Sequence, residues 1–186
     1  MLRKTIYEPR FRPSPQALIR APLCLRSVGR RVAGEGWSES MPARGFVQLW
    51  WVVEGRFEVE VCGRRELARK GDVWILREND PHRHSLKSEL GETRWITLDG
   101  ERAWQSIESF GLKAGIRRGL GACPVGLFAE MGSMVERVDL QAEMKCSELA
   151  YQLLLSVSNS RRKEDTGETR LNARSGSWND PSPIRS

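Results

Sequence analysis

The hydrophobic pattern is densest from Phe46 to Val53, where β-branched and aromatic residues run almost without interruption. The run is too short for an ordinary helix and predicts a strand buried on at least one face. Glu54-Gly55-Arg56 breaks it. Phe57, Val59 and Val61 then alternate with Glu58 and Glu60, the period of two of a strand with one wet face. Cys62-Gly63-Arg64 predicts a turn, Arg65 to Ala68 a return strand, and Lys70-Gly71-Asp72 a further turn, since glycine supplies the positive φ that turns need. Val73 to Leu76 is another apolar strand, Asn79-Asp80-Pro81 a breaker, and His82 to Leu86 a return to extended chain. Short strands with turns at this spacing predict an antiparallel sandwich or small barrel.

On the N-terminal side, Pro22 to Val32 reads as a strand entering the barrel, and Trp37 to Gly45 as an irregular lip. Past the barrel stretch, Leu86 to Thr93 predicts a charged loop and Trp95 to Leu98 a strand ended by Asp99-Gly100. The period then lengthens. Trp104, Ile107 and Phe110 fall on one face of a helix over Glu101 to Gly111. Leu112 to Ala122 is glycine-rich and predicts a loop. A second helix starts at Pro124 and carries Leu127, Phe128, Met131, Met134 and Val135. A third has Asp139 as N-cap, with Ala142, Cys146, Leu149, Leu153 and Val157 at threes and fours. Leu154 and Leu155 widen its apolar stripe. That width predicts one face covering the barrel and another meeting a second copy, with Leu149, Leu153, Leu154 and Val157 as candidate dimerisation residues.

The ends are different in character. Residues 1–21 are rich in proline and arginine and predict a flexible, basic, partly ordered arm. Residues 159–186 have too little apolar content to offset ordering entropy and predict a disordered tail or linker. One domain over residues 22–158 lies between them. The formal net charge of +6 divides into +6 over residues 1–44, −2 over 45–158 and +2 over 159–186. The basic arm reads as a solvated segment, not a nucleic-acid surface. The four cysteines have no metal-like spacing and read as reduced thiols of a cytoplasmic protein. No apolar stretch approaches the width of a bilayer, so no membrane partner is expected.

The segments Trp51-Val52-Val53-Glu54-Gly55-Arg56, Gly63-Arg64, Gly71-Asp72, Pro81-His82-Arg83 and Thr93 to Gly100 together resemble the cupin β-barrel. The version they resemble is the N-terminal sensing domain of AraC-type transcription regulators, and the likeness covers Pro22 to Val157. The resemblance implies a mainly β fold: a cupin-like antiparallel barrel, or jelly roll, followed by two or three helices. It also implies small-molecule sensing and a homodimer through the last helices, with an N-terminal arm able to fold over the ligand. The DNA-binding half of such regulators has helix-turn-helix units. No such pattern is visible here, so sequence-specific DNA binding by this chain alone is not expected.

Metal-dependent cupins carry the motif G-x5-H-x-H-x3,4-E-x6-G. Laid on this chain, Gly36 and Gly55 fall on the two glycines, and the ligand positions become Pro42, Arg44 and Gln48. Proline has no donor, arginine stays protonated, and glutamine is a weak neutral oxygen. A second motif starts at Gly71 and reaches its histidine at His82, which alone survives of the four ligands, so neither a metal nor another cofactor is expected. Strand parity puts Arg44, Gln48, Trp50 and Val52 on one face, which the motif frame makes the interior. Arg44, Gln48, Trp50, His82, His84 and Trp95 are therefore the candidate ligand-binding residues, suited to a small polar molecule, a sugar among the candidates. The plainer alternative makes Trp50 and Val52 simple core, turns Arg44 to solvent at the rim, and bonds His82 to backbone. The sensing domain is expected to perform no chemistry. The alternatives are a metal-dependent cupin isomerase or oxygenase, or a dimerisation module without ligand.

Overall fold

The computed structural model describes residues 5–174, with side chains described over 5–158. Its strands are β1 (Ile6–Phe11), β2 (Cys24–Gly34), β3 (Ser38–Met41), β4 (Val47–Glu54), β5 (Arg56–Val61), β6 (Arg64–Arg69), β7 (Val73–Leu76), β8 (His82–Leu86), β9 (Leu90–Asp99) and β10 (Gly115–Arg117). Helix α1 (Ala103–Ser109) lies between β9 and β10, and α2 (Val125–Met134) and α3 (Leu140–Arg174) close the chain. The strands form two sheets, in the order β1-β2-β9-β4-β7-β10 and β3-β8-β5-β6. All pairings are antiparallel, as short strands joined by tight turns require. The fold is thus mainly β, with α1 before the final strand and α2 and α3 last.

β4 explains why the central run is apolar without a period. Its even residues Gln48, Trp50 and Val52 and its odd residues Val47, Leu49 and Trp51 are all buried. Trp50 and Val52 pack between the sheets with Phe57, Val59, Trp74 and Trp95. Val47, Leu49 and Trp51 point the other way, into a second core with Ile107, Met131, Leu149 and Leu153 from the helices. A strand covered on both faces has no wet side to mark with polar residues. β5 has one wet side and alternates accordingly: Phe57 and Val59 are buried, while Glu58 and Glu60 pair at the surface with Lys87 and Arg65. The β5–β6 turn is Cys62-Gly63, with φ of 49° and 77°. Two positive φ values in a two-residue hairpin turn match the twist of the flanking strands.

Four segments read as irregular from sequence carry strands. β1 lies in the expected arm and pairs with β2 from Ile6–Val32 to Phe11–Ser27, satisfying polar backbone along that edge. β3 sits in the expected lip and pairs with β8. β9 begins at Leu90, paired with Gly34, and Glu92, which looked like loop, accepts from Arg30 on the neighbouring strand at 2.9 Å. β10 crosses the glycine-rich segment beside β7. At the other end, α3 runs to Arg174, so residues 159–174 are helical where disorder was expected. The expectations for residues 1–4 and 175–186 lie outside the described residues.

The structure buries the candidate dimerisation residues within the chain's own core. Leu149, Leu153, Leu154 and Val157 are each 1% exposed or less. α3 packs on β2 and on α2. Beyond that, Tyr151 meets the Phe110 ring at 5.9 Å and Ser158 bonds the Phe110 carbonyl. Neighbours on several sides absorb these four residues within one chain and leave Leu155 outside. Among the α3 residues whose side chains are described, the exposed large apolar ones are Leu140, Met144 and Leu155, with Val138 just before the helix.

Candidate functional site

The register of the six-stranded sheet lines up one row of inward residues: Pro9, Gly29, Trp95, Trp50, Trp74 and Ile116, one from each strand. Three adjacent strands thus put three indoles side by side. Trp50 stacks on Trp74 at 5.6 Å and meets Trp95 at 5.5 Å. Gly29 is where the Trp95 ring crosses β2; a Cβ there would lie 2.3 Å from Trp95 Cζ2. On the far side of Trp95, Tyr7 stacks at 6.2 Å and Phe11 meets it tilted at 6.5 Å, so β1 roofs the row. From the second sheet, His84 faces Trp50 at 4.8 Å and Trp37 at 5.2 Å.

A charged cluster joins the rim of this wall. The Arg31 guanidinium lies between the rings of Tyr7 (4.3 Å) and Trp37 (4.7 Å) and pairs with Glu39 at 2.9 Å. Glu39 also accepts from His84 Nε2 at 3.4 Å. The His84 hydrogen bond, ahead of the Arg31 charge, holds the Glu39 carboxyl below its usual range against desolvation. Burial pushes His84 down, and the Glu39 bond opposes that only in part. Burial likewise lowers His82, against the Asp80 carbonyl at 3.1 Å. Both imidazoles are neutral at pH 7.

Their partners fix the tautomers. A carbonyl only accepts, so His82 carries its proton on Nδ1 and turns a bare Nε2 lone pair to the interior. Ionised Glu39 only accepts, so His84 carries its proton on Nε2 and leaves Nδ1 bare. Neither His82 Nε2 nor His84 Nδ1 has a protein partner, and the same holds for Trp74 Nε1, Trp95 Nε1, Arg31 Nε and Thr93 Oγ1. A buried polar atom left unmatched costs about 1–3 kcal/mol. These six are three N–H donors, two lone pairs and a hydroxyl, contributed by β2, β7, β8 and β9.

The structure brings Trp50, His82, His84 and Trp95 together. Gln48, also buried, accepts from Trp50 Nε1 at 3.1 Å. It does not include Arg44. β4 begins at Val47, so parity does not carry through Gly45, and Arg44 is exposed, holding the Asn79 amide with its backbone carbonyl. Arg31, Trp37, Glu39, Trp74 and the roof residues Tyr7 and Phe11 were not among the sequence candidates. Trp74 carried a signal, being inward by the parity of its own apolar strand.

The donor set does not suit the metal that cupin enzymes hold. Pro42 and Arg44 are exposed, and Gln48 Oε1 is engaged by Trp50. Among the described residues no group of three or more His, Cys, Asp and Glu is arranged to hold an ion. Two imidazole lone pairs fall short of the three or four protein ligands such sites use.

No curated protein matches this chain. Among solved structures it is similar to a predicted oxalate decarboxylase from Thermotoga maritima, at 16% identity over 39% of this chain and 65% of that one, TM-score 0.38. It is similar also to the Cnp3 cupin domain of Schizosaccharomyces pombe, at 13% identity over 52% and 62%, TM-score 0.42. A third is a cupin superfamily protein from Desulfitobacterium hafniense, at 13% identity over 53% and 80%, TM-score 0.40. The chain spans less than two thirds of the length of the first two. No described helix is long and apolar enough to cross a membrane. The AraC-like ligand binding domain family matches residues 30–154, more than half of the sequence, and with its cupin-like barrel and trailing helices the chain belongs to that family.

Proposed function

We propose that this chain is the small-molecule sensing and dimerisation domain of an AraC-type transcription regulator, acting by binding and not by catalysis. The observation that carries the reading is the set of six unmatched polar atoms on β2, β7, β8 and β9, two of them indole N–H groups of the Trp95–Trp50–Trp74 row. Arg31 is neutralised by Glu39 and both histidines are neutral, so the site offers hydrogen bonds without net charge. Donors and acceptors together favour hydroxyl groups, which can do both, and indole faces favour the C–H face of a ring. The ligand class is therefore a neutral hydroxylated ring, such as a monosaccharide, held by Arg31, Trp74, His82, His84 and Trp95. Free thiols at Cys24, Cys62, Cys123 and Cys146 fit work in the reducing cytoplasm. The exposed Leu140, Met144 and Leu155 on α3 favour a homodimer of such domains.

The test is thermal unfolding against a panel of neutral sugars, polyols, carboxylates and amines. A neutral hydroxylated ring should raise the Tm by about 5–10 °C when it exceeds its Kd roughly a hundredfold. Trp95→Ala should abolish that shift. Stabilisation by carboxylates or amines alone would overturn the ligand class. No stabilisation by any of them would leave the dimerisation module as the better reading.

A further inference from the structure

The roof of the site and the first turn of α3 are joined by a pinned segment of chain. Tyr7 and Phe11 cover Trp95, yet they are 47% and 52% exposed. Their strand runs directly into Arg12, which is buried. Every N–H of that guanidinium is used. Nε donates to the Ser14 carbonyl; Nη1 donates to the Leu25 carbonyl and to Asp99 Oδ1; Nη2 donates to the Pro15 carbonyl and, at 2.7 Å, to Asp99 Oδ2. Asp99 ends β9, the strand that carries Trp95. A planar fork holding two carbonyls of its own loop and a carboxylate of the sheet fixes how the chain leaves β1.

The segment is held a second time farther on. The Glu143 carboxylate, buried in the first turn of α3, accepts from the amides of Leu18 at 2.6 Å and Ile19 at 3.2 Å. β1 is also tied from its outer face, where Arg10 pairs with Glu136 at 2.8 Å, in the link between α2 and α3. Backbone amides that give their bonds to a helix carboxylate cannot move without the helix or without breaking those bonds. The helix turn so gripped lies beside Val138, Leu140 and Met144, all exposed.

We infer that residues 12–19 form a strut between the ligand-facing roof and α3, so that a change in the packing of β1 on Trp95 is felt at the helix turn that bears the exposed apolar residues. The inference rests on the sensing reading for its purpose, but the mechanical link stands on the bonds above. Coupling of this kind is reciprocal, so it can be read from either end.

Hydrogen exchange on the full, unliganded chain tests it. Glu143→Gln removes the charge that grips two amides. Exchange at Leu18 and Ile19 should rise about tenfold. Exchange across Ile6–Phe11 should rise with it, while the β5–β6 hairpin, Arg56–Arg69, stays unchanged. A rise confined to residues 18 and 19 overturns the strut. Should the hairpin loosen too, the reverse variant decides. Phe11→Ala, at a half-exposed roof position, must raise exchange at Leu18, at Ile19 and in the first turn of α3; no change there overturns the strut. A failed ligand panel would sink the sensing reading and leave these results standing.

Discussion

His84 donates its Nε2–H hydrogen bond to the Glu39 carboxylate across the β3–β8 ladder, and the cross-strand pair His84–Glu39 closes the rim of the site over Trp37. The bond fixes both the tautomer of the histidine and the charge of the acid, which makes this corner sensitive to protons.

Stability should therefore fall on acidification, from the ordinary histidine range downward. Burial lowers the folded pKa of both His82 and His84 from 6.5. Below that value the unfolded chain takes up protons that the folded chain refuses. Stability is thus fully present above 6.5 and is lost as pH falls toward the folded values. The loss is at most about 1.4 kcal/mol per pH unit for each imidazole. Glu39, held low, stays ionised in both states through most of that window and adds its own loss only in stronger acid. Urea titrations at several pH values between neutrality and mild acid measure this. The slope should be about halved in His84→Gln, and an unchanged slope would show that the imidazole is not the group responsible.

Gly29→Ala should destabilise the domain through contact with Trp95. The added methyl would meet ring carbons at 2.3 and 2.5 Å, and an indole held among Tyr7, Phe11 and Trp50 has little room to retreat. Overpacking of this kind costs about 1–3 kcal/mol. Paired with Trp95→Ala, most of that penalty should vanish, because the clashing partner is gone. Additive penalties in the double variant would place the strain in the backbone instead.

Much of the barrel was legible because its strands obey local rules. β7 and β8 have the bounds that the sequence suggests, Val73–Leu76 and His82–Leu86, since Gly71-Asp72 and Asn79-Asp80-Pro81 punctuate them. Trp50 turns inward because parity holds within a strand. Arg44 does not, because parity stops where the strand stops. β1 was not legible: proline and arginine disguise a strand whose hydrogen bonds come from the edge of β2. Arg31, Trp37 and Glu39 were hidden for a related reason. They come from β2, a loop and β3, and meet only once two sheets face each other. The stripe on α3 gave the apolar width but not its use, since a neighbouring helix of the same chain and a second copy ask for the same residues.

Purified protein should carry no stoichiometric zinc, iron, manganese or nickel, because among the described residues no group of three or more His, Cys, Asp and Glu is arranged to hold an ion. Elemental analysis giving about one metal per chain, removable by chelator with a fall in Tm, would reopen the enzyme reading. Sequence-specific DNA binding is likewise not expected of this chain alone. Attraction through its basic ends should be weak and disappear with added salt. Tight binding to one duplex over scrambled competitors at physiological salt would contradict this.

The two sides of α3 make opposite predictions for the same chemical change. Leu153 is 1% exposed and sits in the core with Leu149, Ile107 and Met131. Leu153→Asp would bury a carboxylate without a partner and empty the space of a leucine, costing roughly 4 kcal/mol or more. It should unfold the domain at any concentration. Met144 is 58% and Leu155 48% exposed, so aspartate at either leaves the fold intact, within about 0.5 kcal/mol. If the exposed residues are the contact between copies, Met144→Asp and Leu155→Asp should convert a dimer to a monomer with an unchanged circular dichroism spectrum. Light scattering at roughly 50 µM, ample for a specific contact, reads the outcome. Unmodified protein that is monomeric there would show that α3 serves its own barrel alone. Dimers that survive both substitutions would move the contact to another face.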